Sequence, residues 1–173
     1  MSRYQRQTIL PEIGQPGQQR LSESHVLIVG CGGLGGPVAA YLAGAGVGTL
    51  TLVDGDKPEA SNLHRQVFFQ TGATENKAVL LARHCSLLNP GTRVCAHESY
   101  LEAGNAKALV EAADLVVESS DHALTKHLVN DACHLLGKPL VYAAVHKYEG
   151  CLAVFPNESK DDLHLRDLFP ARD

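Results

Sequence analysis

Short apolar runs recur along this chain, separated by stretches with helical patterning. Residues 26–29 are wholly apolar, as in a strand buried on both faces. Residues 37–45 are small and apolar and predict a helix, and 49–53 predict a second strand. Residues 76–88 carry apolar side chains at 78–82, 85, 87 and 88, a helix that Asn89-Pro90-Gly91 stops. Further on, the pattern predicts strands at 93–96 and 114–118, the latter around Leu115-Val116-Val117, and helices at 104–113 and 122–136. Gly137 and Pro139 end the last helix. Strands follow at 140–145 and 150–155, the final one with its pairing direction open. The polar, Gln-rich residues 2–20 predict an arm or short helix outside the sheet, with a turn at Pro16-Gly17. Residues 55–69 read as irregular, and the charged stretch 156–173 shows no clear element. Strand and helix alternate throughout. The expected fold is therefore α/β: a Rossmann-like, doubly wound, mostly parallel sheet with helices on both faces.

The richest stretch joins the first two strands. Gly30, Gly32 and Gly35 form G-x-G-x-x-G after the first, and Asp54 closes the second, 24 positions beyond Gly30. Glycines permit a tight bend whose N–H groups approach a phosphate at a helix N-terminus. A carboxylate at the next strand end suits ribose hydroxyls. Framed by strand, helix, strand and acid, the glycines indicate a dinucleotide-type fold without naming the nucleotide.

Totals narrow the classes. The length of 173 residues fits one domain, with 45% hydrophobic and 20% charged residues. A net charge of -4 and no basic stripe argue against nucleic-acid binding. No apolar run approaches the roughly 18 residues of a membrane span. The first ten residues do not resemble a secretory signal. Five scattered cysteines without a C-x-x-C pair read as reduced thiols, which places the protein in the cytoplasm. Cys31 lies within the glycine bend, where it reads as a small turn residue rather than a reactive thiol. His127, Cys133 and His134 lack zinc-ligand spacing.

Ligands of an open parallel sheet bind beyond the carboxyl ends of its strands. Polar groups predicted there are Asp54 and Asp56, the Asn62/Arg65/Gln66 loop, Lys77 and Asp121. Around a triphosphate, Asp54 suits the ribose, Arg65 and Lys77 neutralise phosphates, and Asp121 suits Mg²⁺ on phosphate oxygens. No P-loop, G-x-S-x-G elbow or H-E-x-x-H is present.

From Arg3 to about Pro170 the chain resembles the HesA/MoeB/ThiF enzymes, relatives of the adenylation domains of ubiquitin-activating enzymes. The resemblance rests on R-Y-x-R-Q at 3–7, G-C-G-G-L-G-G at 30–36 and Y-L-A-G-A-G-V-G-T-L-T-L-V-D-G-D at 41–56. It continues through S-N-L-H-R-Q at 61–66, Lys77, L-N-P at 88–90 and Ser120-Asp121. It implies an ATP- and Mg²⁺-dependent adenylyltransferase. Its partner would be a ubiquitin-like sulfur-carrier protein ending in Gly-Gly, whose terminal carboxylate is activated as an acyl-adenylate with release of pyrophosphate. Gly30, Gly32, Gly33 and Gly35 would line the nucleotide, with Asp54 on ribose and Asp56 beside it. Asn62, Arg65, Gln66 and Lys77 would contact phosphates. Asp121 would hold Mg²⁺ near the reacting centre, making Arg65, Lys77 and Asp121 the catalytic set. Arg6 would reach the partner's phosphates across a homodimer.

The chain departs from the family pattern in places. The family runs on well past this C-terminus, so residues 1–173 are expected to be one adenylation domain, with an arm at 1–22 and the start of an incomplete region at 156–173. His164-Leu165-Arg166-Asp167 stands where many members have C-x-x-C, so no structural zinc is expected, although His164 and Asp167 have ligating chemistry. The proline common before the lysine is missing, and His122 follows Asp121 where Asn is usual. No cysteine matches the family's thioester or persulfide position. Two alternatives stay open: a truncated, non-catalytic nucleotide-binding or dimerisation module, and an NAD-type oxidoreductase. The basic loop weighs against the second, because hydride transfer needs no cations around a third phosphate.

Overall fold

A computed structural model describes residues 3–170. Residues 1, 2 and 171–173, the ends of the expected arm and C-terminal region, lie outside the described residues. The first strand, β1 (His25–Val29), sits near the middle of a six-stranded sheet. Around it lie β2 (Thr49–Val53), β3 (Arg93–His97), β4 (Leu115–Glu118), β5 (Leu140–His146) and β6 (Glu149–Phe155), in the order β3-β2-β1-β4-β5-β6. β1 to β5 are mutually parallel, and β6 runs antiparallel to β5, which closes the direction the sequence left open. Val29 pairs with Val53 on one side and Glu118 on the other. The sheet order reverses between β1 and β4, so a crevice opens at their carboxyl ends.

The wholly apolar strands reflect two buried faces. Leu27 and Ile28 point to opposite sides and both are fully buried. Each such side chain contributes about 2–3 kcal/mol by leaving water. On one face α3 (Gly35–Ala45) and α4 (Lys77–Leu88) cover Val26, Ile28, Leu50 and Leu52, through Ala39, Ala43, Ala78 and Leu81. On the other, α5 (Ala103–Glu111) and α6 (Ala123–Leu136) cover Leu27, Val29, Val53 and Val116, through Ala106, Val110 and Val129. Gly137 ends α6 in the left-handed region at φ 62°.

Three expectations change. Pro16-Gly17 makes no turn, because α2 (Gly14–Glu23) runs through it after a short α1 (Gln5–Thr8). Pro16 is the third residue of that helix, where an N–H would have no intrahelical acceptor, so its absence costs little. The glycine-led helix α3 begins at Gly35, two residues before the predicted start, which places the third glycine of the motif inside its first turn. The C-terminal stretch contains α7 (Leu165–Leu168), too short to show a period. Tertiary contacts hold it: Leu165 is 2% exposed, its N–H donates to Asn130 Oδ1 at 2.9 Å, and Arg166 forks onto Asp131 at 2.7 and 2.5 Å.

Candidate active site

The crevice at the sheet's reversal holds a cavity of about 410 Å³. Gly30 forms its floor at φ 89°, and a Cβ there would come within 2.8 Å of the Ser120 nitrogen. The backbone of the bend therefore lies directly against the loop after β4. Gly32 and Gly33 leave room for side chains: added Cβ atoms would sit 3.2 Å from Gln66 Nε2 and 3.3 Å from Arg65 Cγ. The Arg65/Gln66 loop is thus packed onto the glycine bend. Gln66 is buried, and its Oε1 has no hydrogen-bond donor among the described residues.

Asp54 braces the bend. Its Oδ2 accepts the Cys31 N–H at 2.7 Å and its Oδ1 accepts the Asp56 N–H at 2.8 Å. Burial pushes the Asp54 carboxyl above its ordinary range, against the pull of those two N–H groups. One lone-pair position on each oxygen is left for a ligand hydroxyl. The Cys31 thiol is fully buried, and burial, with the Asp54 charge beside it, holds its pKa well above the ordinary value. That is the opposite of an activated nucleophile.

Asn76 ties α4 to this end of the sheet. Its Oδ1 caps the helix by accepting from the Ala78 N–H at 2.7 Å, and its Nδ2 donates to the Asp54 carbonyl at 2.8 Å. Lys77, the first helical residue, is therefore fixed against the cavity, 6% exposed, with Nζ donating to Asp56 Oδ2 at 3.0 Å. Tyr100 donates its hydroxyl to Asp56 Oδ1 at 2.5 Å. The Tyr100 hydrogen bond first, and Lys77 with it, hold the Asp56 carboxyl below its usual range.

The structure brings Gly30, Gly32, Gly33, Asp54, Asp56, Arg65, Gln66, Lys77 and Asp121 to one cavity. Two expected nucleotide-lining residues, Gly35 and Asn62, are not on its wall. Gly35 is packed behind the bend, where a Cβ would lie 1.8 Å from the Gly30 carbonyl oxygen. Asn62 ends a 3₁₀ turn, Ala60–Asn62, and its carbonyl accepts the N–H groups of Arg65 and Gln66 at 3.1 and 3.0 Å. It shapes the loop that presents those two side chains. Arg6 is exposed on α1 and does not line the chain's own cavity.

Sequence reasoning missed Tyr100, Ser119, Ser120, Thr125 and Lys126, which also line the cavity, and Glu118 beneath them. The one available signal was a carboxylate at the end of an apolar run, L-V-V-E. Nothing local paired it with a lysine eight residues on. The histidines form no centre: among the described residues no group of three or more His, Cys, Asp or Glu side chains is placed to hold a metal.

A mostly parallel sheet with a glycine bend, cationic side chains and carboxylates at its reversal point defines a Rossmann-like α/β domain. The chain belongs to the ThiF family, whose pattern matches residues 4–173. It is 47% identical over 156 residues to the sulfur carrier protein adenylyltransferase of Thermus thermophilus, covering 90% of this chain and 58% of that one. Its fold superposes on the crystal structure of PaaA with a TM-score of 0.78 at 26% identity, over 90% of this chain and 51% of the other. The E. coli tRNA N6-threonylcarbamoyladenosine dehydratase TcdA, solved in complex with ATP, gives a TM-score of 0.71 at 27% identity, over 75% of this chain and 54% of that one. The chain thus spans about half the length of these relatives.

Proposed function

We propose that residues 1–173 form one ATP-binding adenylation unit. It activates the C-terminal Gly-Gly carboxylate of a ubiquitin-like sulfur-carrier protein. The observation that carries this reading is the convergence of Arg65, Lys77 and Asp121 with the glycine bend on one cavity at the sheet's reversal. The adenylyltransferase name of a relative at 47% identity and the ATP complex of a structural neighbour support it. In the reaction a carboxylate oxygen of the carrier attacks the α-phosphorus of ATP. The bond from that phosphorus to the bridging oxygen breaks, and pyrophosphate leaves with the electron pair. No proton moves in that step, so a site without a general base suits it.

Charge and position then carry the catalysis. Arg65 and Lys77 face the phosphates and offset the charge that grows on the leaving pyrophosphate. Lys77 does so after exchanging Asp56 for phosphate oxygens. Asp54 keeps the bend closed and receives the ribose hydroxyls, and Gln66 completes its unpaired Oε1 on the bound nucleotide. Mg²⁺, when bound, would supply further neutralisation of the phosphates. Asp121 is the exposed carboxylate suited to hold it, together with phosphate oxygens, which fits an ion that takes few protein ligands. Arg6, outside its own cavity, serves the neighbouring subunit of a homodimer. We place the reaction in the cytoplasm, where the cysteines stay reduced.

ATP–pyrophosphate exchange tests the proposal, run with Mg²⁺ and a carrier ending in Gly-Gly. Carrier-dependent exchange is expected. Tight NAD binding without ATP binding would overturn it in favour of a hydride-transfer enzyme. A second reading is a binding unit without turnover. ATP binding without exchange, in a folded dimer, would select it.

A further inference from the structure

We propose that the buried Glu118–Lys126 pair positions the loop that carries Asp121, holding that carboxylate in the cavity. The proposal deepens the adenylation reading and rests on it for its kinetic readout. Glu118 ends β4 in register with Val29 of β1 and Tyr142 of β5, so it stands at the sheet's reversal. Its side chain is fully buried. Oε2 accepts from Lys126 Nζ at 2.6 Å, and Oε1 accepts both the Ser120 N–H, at 2.9 Å, and the Ser120 hydroxyl. Lys126 also donates to the Ala143 carbonyl at 3.2 Å, and its Nζ lies 4.8 Å from the centre of the Tyr142 ring. One carboxylate therefore ties Ser120 to both α6 and β5.

The opposite side of the loop is held too. The Ser119 hydroxyl reaches the carbonyls of Val29 and Gly30, each at 2.9 Å, and the Ser119 N–H donates to the Val29 carbonyl at 2.9 Å. Residues 119 and 120 are gripped from both flanks, and Asp121 follows at the cavity wall.

Stability does not explain the charges. A buried ion pair is commonly replaced by well-packed apolar residues without loss, because desolvation consumes the attraction. Burial indeed raises the Glu118 carboxyl above its ordinary range, against the pull of Lys126 and Ser120. An ionised carboxylate does offer what an apolar residue lacks, an acceptor strong enough for two donors of one residue. Lys126 lines the cavity, and pairing with Glu118 keeps it from competing with Arg65 and Lys77 for phosphate.

The test uses E118L/K126M, which removes both charges and the Ser120 acceptor, and E118Q/K126M, which keeps an acceptor. Hydrogen exchange on the nucleotide-free protein is measured first. We expect the Ser120 amide to exchange at least about tenfold faster in E118L/K126M, less so in E118Q/K126M, with β1 amides unchanged. Kinetics follow. E118L/K126M should lose on the order of 10²-fold in kcat, the usual cost of a misplaced reacting group, with KM for ATP little changed. E118Q/K126M should fall between it and wild type. Unchanged exchange at Ser120, or wild-type kcat in a folded E118L/K126M, overturns the proposal. If the wild type shows no adenylation at all, the proposed function fails, and the amide exchange still decides whether the pair holds the loop.

Discussion

Replacing Gly35 by alanine tests the physical basis of the nucleotide cradle most directly. Gly35 opens α3, and its Cα faces the end of β1 across the bend. An added Cβ would lie 1.8 Å from the Gly30 carbonyl oxygen, 2.7 Å from Ser119 Oγ and 3.0 Å from the Gly30 carbonyl carbon. Ordinary contact begins at 3.4 Å, so the methyl falls about 1.6 Å short against backbone that no rotamer change can move aside. Overpacking in a tight site costs about 1–3 kcal/mol, and a backbone obstacle puts this change at the upper end, about 3 kcal/mol. For a domain of this size that is a drop of roughly 6–12 °C in Tm. Relief requires α3 to back away from the bend, which also withdraws its N-terminal N–H groups from any bound phosphate. ATP affinity should fall at least about tenfold. Gly104→Ala is the control: nothing lies within 4 Å of its added Cβ, and it sits in the first turn of α5, where alanine is neutral to slightly stabilising. Both variants are followed by urea unfolding and by calorimetric titration with ATP. A G35A protein within about 0.5 kcal/mol of wild type, with unchanged affinity, would refute the rigid close approach of α3 to β1.

Three further outcomes are expected. Asp121→Ala should abolish adenylate formation while leaving the unfolding midpoint near that of wild type, since the side chain is exposed; retained pyrophosphate exchange would sink its assignment. Arg6→Ala should lower exchange activity at least about tenfold if the guanidinium serves a neighbouring subunit, and an unaffected rate in a verified dimer counts against that role. Asp56 carries a pH signature. Its folded pKa lies below the unfolded value of 3.8, because of Tyr100 first and then Lys77, so its contribution is present above that pH and is lost as pH falls through the folded value. Asp56→Asn should flatten the acid limb of stability against pH, read from urea midpoints between about pH 3 and 6; curves that stay parallel would remove the Asp56 contacts from the account.

The family resemblance already placed most of the site residues, and the structure gathers nine of them at one cavity. The exceptions share a cause. Gly35 and Asn62 were assigned to the nucleotide because they stand in motifs, and a motif does not say which members touch a ligand and which hold the members that do. Gly35 lets a helix approach a strand, and the Asn62 carbonyl forms the turn that aims Arg65 and Gln66.

The alternation of buried strands and helices, the glycine bend before α3 and the acid after β2 were legible because each is a local pattern. Apolar periodicity reports burial on one face or two, and bends need residues that can make them. The sheet order was not legible, and it decides which distant residues become neighbours. It sets β4 beside β1, so that Ser119 and Ser120 meet the bend and Glu118 meets Lys126. It also lets Tyr100 and Lys77, distant in the chain, share the Asp56 carboxylate. Helix α2 runs through Pro16-Gly17, and α7 forms on four residues, because tertiary contacts outweigh weak local preference in short segments. Side-chain pairing across such separations is an energy of the packed state, and no period in the chain encodes it.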